Sequence, residues 1–474
     1  MRKTKIVSTL GPVSNSEEMI RKLISAGVNV FRLNTSHGVP EDHIPVIERI
    51  KKIRKELGIS IGILLDLEGP KIRTGKFCQD NVELKTGQEF ILTSEEITGD
   101  EKRVSINYPL LPKEVKPRDT ILVYDGLIAL KVIETDGTNI KTRVMNGGTL
   151  SHRKGINVPG VDISLPALTE KDKKYIKIGV EYEVDFFAQS FVRKPEDIDF
   201  CRTEMTKYNG KIPIIAKIET KQALSYLRSI IFKADGIMVA RGDLGVEIPT
   251  EDVPVFQKRM IKLSNEMSKP VITATQMLES MIENPRPTRA EASDIANAII
   301  DGTDAIMLSA ETTIGKYPVE SVKVMNDIAL NIEANIDDLK VTNLFGEKIN
   351  SNFVQSEEDA IAHACCEMSE QLGIKVIITS TVSGNTAKRV SRFRPNALLI
   401  GTTPSDETYL RLSLVYGVYP VLISLTNSTD EMIEKSVNKI IDSGMVKRGE
   451  NVLITAGIPW GKEGTTNMIK IHRC

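Results

Sequence analysis

Strand-like apolar runs alternate with helix-like segments through most of this chain, and this alternation restricts the fold more than any other feature. Alternating strands and helices are typical of parallel α/β structure, in which each helix returns the chain to the start of the next strand. Eight strand–helix units favour closure into a (β/α)₈ TIM barrel. The predicted strands are residues 4–9, 29–33, 61–65, 184–188, 213–218, 236–239, 270–274 and 304–308.

The alternation is interrupted once and is followed by a second α/β pattern. Residues 71–166 show little helical periodicity, and their alternating segments predict short antiparallel strands. Near the C-terminus, helices are predicted at 356–372, from 383 and at 429–441, with strands at 375–379, 397–400 and 451–455. A polar stretch at 341–351 is typical of a linker. We therefore predict barrel segments at 1–70 and 167–345, an inserted β domain at 71–166 and a C-terminal α/β domain at 346–474.

Charged residues follow two of the predicted strands directly. Strand 213–218 contains Lys217 and is followed by Glu219, and the two-residue period of a strand points both side chains the same way. Strand 236–239 is followed by a predicted loop that contains Asp243. Two carboxylates with open positions between them suit Mg²⁺, which prefers oxygen ligands. A cross-strand ion pair at a sheet edge would explain the same residues.

The position of these residues favours a functional site. In (β/α)₈ barrels the active site lies at the carboxyl ends of the strands. The sequences ADGIMVARGD and TDAIMLSAET repeat one core on the sixth and eighth predicted strands, which supports the barrel. The polar residues at predicted strand ends are Arg32, Asn34, Asp66, Lys217, Glu219, Asp243, Thr275 and Glu311.

Composition excludes several other classes of protein. The chain has 474 residues, with 62 basic and 63 acidic side chains, so no overall field favours nucleic acid or an anionic membrane. Its five cysteines contain no CxxC pair, which predicts neither a disulfide framework nor a zinc site. No apolar run approaches the ~18–20 residues that span a bilayer, and the first residues do not form a signal peptide. We expect a soluble cytoplasmic protein.

The common nucleotide-binding loops are missing from the sequence. Residues 457–462 approach a Walker A loop but have the wrong spacing, and no GxGxxG opens a helix after a strand. If this chain handles phosphate, it does so with arginines, a metal ion and backbone amides at the barrel end.

Seven segments, in order along the chain, together resemble pyruvate kinase. They are FRLNTSHG (31–38), DLEGPKIRTG (66–75), KGINVPG (154–160), AKIET (216–220), MVARGDLGVE (238–247), TATQMLESMIENPRPTRAE (273–291) and LSAETTIGKYP (308–318). The resemblance implies a barrel with an inserted small β-barrel lid domain and a C-terminal α/β regulatory domain. It also implies a glycolytic reaction that moves the phosphoryl group of phosphoenolpyruvate to ADP, giving ATP and pyruvate. Mg²⁺ (with Mn²⁺ as a substitute) and a homotetramer belong to the same expectation, without nucleic acid or membrane partners.

The resemblance also implies roles for individual residues at the reacting phosphate. Glu219 and Asp243 hold Mg²⁺, and Lys217 faces the phosphoryl group and the developing enolate oxygen. Arg32 and Arg73 clamp the phosphate, because guanidinium groups suit phosphate oxygens.

Further residues are implied for the substrate carboxylate, the proton and the nucleotide. The backbone at Ala240, Gly242 and Asp243 receives the carboxylate, and Thr275 orders the water that protonates the enolate. The nucleotide is met by Asn34, His37, Arg73 and Lys154.

Each of these residues has a plainer interpretation. Thr275 can cap a helix, His37 can be an ordinary loop histidine, and Lys154 can belong to a solvated basic turn. The helix predicted at 273–283 favours packing over ligand contact.

In the C-terminal domain, TVSGNTAKR (381–389) places hydroxyl groups at the opening of a helix. The family resemblance implies that this loop receives the phosphate of an activating metabolite. The expected residues are Thr381, Ser383, Gly384, Asn385 and Thr386. Simple N-capping by Ser383 is the alternative.

One departure from the commoner family pattern concerns potassium. Potassium-dependent members hold the ion with an Asn, a Ser, an Asp and the Thr that follows it. Here Asn34, Ser36 and Asp66 are in place, but the next residue is Leu67, and Lys71 stands where those members carry Glu. An ammonium can supply the charge of the missing cation. We predict an enzyme that needs no potassium, the alternative being a surface lysine in a mobile hinge.

Two other functions are consistent with parts of the sequence. A metal-dependent aldolase or lyase acting on pyruvate or phosphoenolpyruvate also uses a Glu/Asp metal pair, but it does not explain the inserted β domain or the two arginines. A catalytically silent metabolite sensor would not need the set Lys217, Glu219, Asp243 and Thr275.

Overall fold

The computed structural model describes residues 1–336, 356–426, 428–459 and 466–474. Eight parallel strands close into a barrel, which confirms the predicted fold. The first strand pairs with both the second and the eighth. The barrel strands are Lys5–Thr9, Val30–Asn34, Gly62–Leu67, Phe186–Gln189, Ile214–Ile218, Gly236–Ala240, Val271–Ala274 and Ala305–Leu308. The α-helices of this region are Glu17–Ala26, Pro40–Leu57, Glu170–Glu181, Pro195–Thr206, Lys221–Ser225, Leu227–Lys233, Arg241–Glu247, Val253–Glu266, Arg289–Ile300, Ala310–Thr313 and Pro318–Ala334, with 3₁₀ turns at Thr250–Asp252 and Glu279–Ile282.

The barrel strands read as continuous apolar runs because both of their faces are buried. One face packs inside the barrel, where Val7, Leu64 and Met238 belong to a single cluster, and the other face packs against the surrounding helices. Leu414, from the C-terminal part of the chain, belongs to the cluster inside the barrel. The C-terminal residues therefore close the base of the barrel, at the end opposite to the carboxyl ends of the strands.

Two predictions of local structure at the strand ends were wrong. The helix expected at 273–283 is absent: Thr275 and Gln276 have φ values of 69° and 54°, and only a 3₁₀ turn, Glu279–Ile282, follows. Left-handed backbone at consecutive non-glycine residues cannot continue a helix. The packing role was correct, because Met277, Leu278 and Met281 are fully buried. The predicted loop containing Asp243 is instead a short helix, Arg241–Glu247.

The inserted β unit comprises the strands between the third and fourth barrel strands. It contains a seven-stranded sheet and a separate two-stranded sheet. Most neighbours are antiparallel, as predicted, but Glu89–Thr93 and Arg103–Ser105 pair in parallel. The strands are Ile72–Arg73, Asn81–Leu84, Glu89–Thr93, Arg103–Ser105, Thr120–Val123, Ile128–Thr135, Asn139–Asn146, Gly148–Ser151 and Gly155–Asn157, and one short helix is Leu111–Glu114.

The C-terminal unit is a five-stranded sheet with helices on both of its faces. The elements predicted for it occur in the predicted order. Two strands were not predicted: Val418–Leu422, which contains a proline, and Met468–Arg473, half of which is basic and which lies antiparallel at the sheet edge. The remaining strands are Val376–Ser380, Leu398–Thr403 and Asn451–Ala456. The helices are Glu357–Gln371, Asn385–Ser391, Asp406–Arg411 and Thr429–Asp442, with a 3₁₀ turn at Leu412–Leu414.

Three further points concern predicted features of the chain. The helix expected from residue 383 begins at Asn385, with Gly384 at its N-cap position, so Ser383 does not cap it. The linker predicted at 341–351 lies outside the described residues. Among the helices that are described, none is long and apolar enough to cross a membrane.

Candidate active site

A buried network of charges lies at the carboxyl ends of the barrel strands. The Lys217 ammonium lies 2.9 Å from Oε1 of Glu219 and 3.3 Å from Oδ1 of Asp66. The other carboxylate oxygen of Asp66, Oδ2, accepts a hydrogen bond from Nε of Arg32 at 2.6 Å. Strand register places Asn34 beside Asp66. Direct contacts therefore link four of the predicted site residues in one chain, in the order Arg32, Asp66, Lys217 and Glu219.

The charges in this network determine each other's protonation. Burial alone would raise the pKa of Asp66, but Lys217 and Arg32 outweigh it and hold that pKa below its usual value. Burial alone would lower the pKa of Lys217, but Asp66 and Glu219 outweigh it and raise that pKa. Lys217 is therefore a fixed cation at neutral pH.

Glu219 and Asp243 form the second part of the site. Burial raises the pKa of Glu219, Lys217 opposes this effect, and the negative charge of Asp243 raises the pKa again. The two carboxylates are thus close enough to repel each other. Oε2 of Glu219 accepts the backbone N–H of Phe191 at 2.8 Å, a residue with a φ of 53°.

Lys71 reaches this part of the site from the inserted β unit. Its ammonium lies 3.3 Å from Oδ1 of Asp243, and its side chain is largely buried. A Cβ atom at position 155 would lie 2.7 Å from Cε of Lys71, so Gly155 leaves the space through which the lysine passes. The structure therefore contradicts the interpretation of Lys71 as a surface lysine.

Thr275 faces the first turn of the helix that carries Asp243. Its hydroxyl accepts the backbone N–H of Gly242 at 2.8 Å and donates to the carbonyl of Ala274 at 2.6 Å. Thr275 is therefore not the N-cap of a helix that follows it in sequence, but its hydroxyl binds a free N–H group in the first turn of the helix Arg241–Glu247. Arg241 holds this arrangement, because its guanidinium binds both oxygens of Asp294, at 2.8 and 2.6 Å, and donates to the Thr275 carbonyl at 2.6 Å.

The residues expected at the nucleotide lie outside the buried network. Nη2 of Arg73 lies 3.0 Å from Oε1 of Glu68. The Lys154 ammonium lies 4.0 Å above the ring of Tyr124. His37 is exposed in a turn after the second strand.

Two of the residues that hold potassium in the commoner family pattern, Asn34 and Ser36, also make contacts within the protein. Oδ1 of Asn34 accepts the Ser36 backbone N–H at 3.2 Å, and the carbonyl of Ser36 accepts from Nζ of Lys171 at 3.3 Å. Lys171 also binds Glu68 at 3.0 Å. A lysine ammonium therefore already lies beside this group.

Sequence reasoning missed three contributors to the site. Ser190 accepts a hydrogen bond from the Lys217 ammonium at 2.6 Å, and its hydroxyl lies 3.5 Å from Oδ1 of Asp66. The other two are Glu68 and Lys171, which form an ion pair with each other. Ser190 directly follows the strand Phe186–Gln189, so the strand-end rule could have found it.

Glu311 was selected by the strand-end rule but has a different place. Its carboxylate accepts the backbone N–H groups of Leu278 and Ser309, at 3.0 and 2.7 Å, and it is buried. It braces the loop after the seventh strand.

The donors at Glu219 and Asp243 fit a hard divalent cation. A cation between two mutually repelling carboxylates would relieve their repulsion, and oxygen donors are what Mg²⁺ prefers. In the described part of the chain no group of three or more His, Cys, Asp or Glu residues could hold a metal ion. A metal at the two carboxylates would therefore need oxygens from substrate and water to complete its coordination.

The fold and the site define a (β/α)₈-barrel enzyme whose charged centre lies at the carboxyl ends of the strands. Comparison with known families agrees and is more specific. The family model for the barrel domain of pyruvate kinase matches residues 1–322, and that for the pyruvate kinase α/β domain matches residues 359–472. The chain therefore belongs to the pyruvate kinase family, whose members are transferases.

Individual relatives match over the full chain. A pyruvate kinase of Thermotoga maritima is 51% identical over 471 residues, covering 99% of each chain. A pyruvate kinase of Bacillus licheniformis is 46% identical over 475 residues, covering this whole chain and 80% of the relative. A pyruvate kinase of Staphylococcus aureus is 46% identical over 474 residues with the same coverage.

Proposed function

We propose that this chain transfers the phosphoryl group of phosphoenolpyruvate to ADP and produces ATP and pyruvate. The observation that carries the proposal is the Lys217 ammonium, held between Asp66 and Glu219 and beside Asp243 at the barrel end. In this reaction the bond between phosphorus and the enol oxygen breaks, and a bond from phosphorus to a terminal oxygen of ADP forms. The methylene carbon of the enolate then takes a proton from water.

Lys217 and Arg32 act on the charge that moves during transfer. Lys217 lies where a fixed cation would stabilise the phosphoryl oxygens and the developing enolate oxygen. Arg32 is oriented by Asp66 and by the Thr9 hydroxyl, to which its Nη1 donates at 3.0 Å, and it contacts the phosphate. Mg²⁺, held by Glu219 and Asp243, would neutralise phosphate and carboxylate charge when bound.

The remaining substrate contacts come from the helix start at Ala240 and from Thr275. The backbone N–H groups of Gly242 and Asp243 bind the substrate carboxylate, which replaces the Thr275 hydroxyl on Gly242. Thr275 is then free to orient the water that protonates the enolate.

We assign the nucleotide to the mouth of the site. Asn34, His37, Arg73 and Lys154 border it from the barrel and from the inserted β unit, which acts as a lid. Lys154 would leave the ring of Tyr124 to reach a phosphate.

A coupled assay tests the proposed reaction. Pyruvate formation from phosphoenolpyruvate is expected to require both ADP and Mg²⁺, with Mn²⁺ as a partial substitute. Pyruvate formation without ADP would indicate a lyase or phosphatase, and no turnover under any of these conditions would indicate a sensor. Either result would contradict the proposal.

The organisation of the chain is part of the proposal. We divide it into barrel segments 1–70 and 167–345, a lid at 71–166 and a regulatory domain from 346 to 474. Separate hydrophobic cores in the inserted unit and in the C-terminal unit support the division.

We also propose a cytoplasmic homotetramer, on the strength of the family resemblance, and sedimentation of the full chain tests the oligomer.

Activation by a phosphorylated metabolite is assigned to the loop that contains Thr381, Ser383, Gly384, Asn385 and Thr386. Two hydroxyl groups of this loop already have partners within the protein. Oγ1 of Thr381 accepts the N–H of Gly384 at 2.9 Å, and the Thr386 hydroxyl lies 2.8 Å from that of Thr466. Ser383 and Asn385 border an open cavity instead.

Replacing Ser383 and Thr386 together by alanine is expected to leave basal turnover unchanged and to remove activation by phosphorylated metabolites, because both hydroxyls lie far from the barrel-end site. Turnover at a subsaturating phosphoenolpyruvate concentration, with and without each metabolite, measures this. A double variant that is activated as strongly as the parent would show that the loop has only a structural role.

A further inference from the structure

The turn Ser190–Phe191, which follows the fourth barrel strand, contacts two different groups of the charged site. The Ser190 hydroxyl accepts a hydrogen bond from the Lys217 ammonium at 2.6 Å. The backbone N–H of the next residue, Phe191, donates to Oε2 of Glu219 at 2.8 Å. The side chains of Ser190 and Glu219 are buried, with 3% and 1% of each residue exposed, so both contacts are shielded from bulk water. Two consecutive residues therefore hold the cation and one of the proposed metal ligands.

Ser190 belongs to a set of three oxygen atoms around the Lys217 ammonium. The other two are Oε1 of Glu219 at 2.9 Å and Oδ1 of Asp66 at 3.3 Å. An ammonium has three hydrogens to donate, so three acceptors can fix its orientation. Attraction to the two carboxylates depends mainly on distance, whereas a hydrogen bond to a hydroxyl depends strongly on its angle. Ser190 is the neutral acceptor and the nearest of the three, and it therefore contributes direction to the ammonium without changing the charge of the site.

The turn has a strained backbone that its surroundings hold in place. Phe191 has a φ of 53°, in the left-handed region that bulky residues rarely adopt. Asp197 binds the chain on both sides of the turn. Its carbonyl accepts from Nε2 of Gln189 at 2.9 Å, and its Oδ2 accepts the backbone N–H of Arg193 at 2.9 Å. Strain of this kind persists only where the surrounding structure enforces it, so the turn is a fixed support for the two groups that it contacts.

Gly69 packs against the same turn from the loop that follows the third barrel strand. A Cβ atom at position 69 would lie 3.0 Å from Cβ of Ser190 and 3.0 Å from Cδ2 of Phe191. The loop approaches the turn this closely because position 69 has no side chain, and its φ of 71° also favours glycine. A substitution at Gly69 can therefore displace the turn without removing any group that contacts Lys217 or Glu219.

We propose that the turn Ser190–Phe191 is a positioning element for phosphoryl transfer. The Ser190 hydroxyl aims the Lys217 ammonium, and the backbone N–H of Phe191 orients Glu219 towards the divalent cation. The inference rests on the proposed phosphotransferase reaction and adds to it two residues that act through other residues of the site. A charge that is aimed before the reaction begins stabilises mainly the transition state, so a misdirected ammonium should lower kcat more than it weakens substrate binding.

Replacing Ser190 by alanine tests the first half of the proposal. We expect kcat to fall about 10- to 100-fold, because small errors in orientation have effects of this size, while KM for phosphoenolpyruvate changes less than about threefold. Ser369→Ala is the matched control: Ser369 is also 3% exposed, and its hydroxyl donates to the carbonyl of Ile374 at 2.7 Å in the C-terminal unit. The control should lose a similar amount of thermal stability and keep the kcat of the parent. A Ser190→Ala variant with the kcat of the parent, or with the whole loss in KM, would overturn the proposal.

Mn²⁺ binding to the full chain without substrates, measured by electron paramagnetic resonance, tests the second half. Gly69→Ala should weaken this binding severalfold because it displaces the turn, whereas Ser190→Ala keeps the Phe191 N–H and should bind Mn²⁺ as the parent does. Gly58→Ala is the matched control, since Gly58 has a φ of 62° but a Cβ atom there would meet nothing within 4 Å. It should change neither Mn²⁺ binding nor turnover.

The two measurements separate this inference from the proposed reaction. A parent that forms no pyruvate would overturn the proposed reaction, whereas Mn²⁺ binding would still test the turn. Binding of Mn²⁺ by a folded Gly69→Ala variant as tightly as by the parent would overturn the role assigned to Phe191. Thermal unfolding checks that each variant is folded, and if Gly69→Ala is not, the kcat of Ser190→Ala decides the proposal.

Discussion

Replacement of Lys217 by methionine is expected to lower turnover at least a thousandfold, which corresponds to about 4 kcal/mol of activation free energy. The ammonium is held by Glu219 at 2.9 Å and by Asp66 at 3.3 Å, so it is already oriented before the reaction begins. A preorganised charge of this kind acts mainly on the transition state. Steady-state turnover with saturating phosphoenolpyruvate, ADP and Mg²⁺ measures the loss.

The same substitution also leaves two buried carboxylates with one cation fewer, so folding must be measured separately. Arg32 still binds Asp66 at 2.6 Å, which limits the damage to that side. Thermal unfolding should show a folded protein, and substrate binding should remain near that of the parent. Lys221→Met is the matched control, because Lys221 is exposed just beyond the same strand. A loss of only a few-fold in turnover for Lys217→Met would exclude a catalytic role for this lysine.

Turnover in tetramethylammonium buffer is expected to change little when potassium chloride is added. The Lys71 ammonium lies 3.3 Å from Asp243, where it supplies a positive charge at the site without a bound ion. Coulomb attraction at such a distance is worth a few kcal/mol at protein-like dielectric, about 4 kcal/mol at an effective value of 20. A rise of about a hundredfold on adding potassium, equivalent to ~2.7 kcal/mol of barrier, would contradict the prediction.

Lys71→Glu provides the complementary test, since it reverses this charge. The variant is expected to lose most of its activity in potassium-free buffer, whereas Lys76→Glu makes the same change at an exposed position of the inserted unit and should have little effect. Adding Leu67→Thr to Lys71→Glu would also supply the threonine of the potassium-dependent pattern. Little potassium response is expected from it, because the Leu67 side chain packs in the hydrophobic core outside the barrel. A threonine hydroxyl there would be buried among apolar groups, so the reversal of charge at position 71 is the decisive variant.

Much of the site was predictable because parallel strands deliver their carboxyl ends to one place. Lys217 and Glu219 face the same way because the strand period is two residues, and the contact between them confirms this. The N-cap at Ser16 and the helix Pro40–Leu57 follow equally local rules. Where the local rule was overridden, at Thr275 and at the helix Arg241–Glu247, the backbone conformation depends on partners distant in sequence, such as Asp294 and Glu311.

The sequence by itself determined the barrel, the inserted and C-terminal units, and the identity of the charged residues at the strand ends, because these depend on periodicity and on the order of the elements. Only the tertiary structure decided that Lys71 reaches Asp243, that Ser190 holds Lys217, and that Gly69 packs against the turn Ser190–Phe191. Each of these contacts joins residues from different strands, helices or units. Their distances follow from how those elements pack, and no local pattern in the chain contains that information.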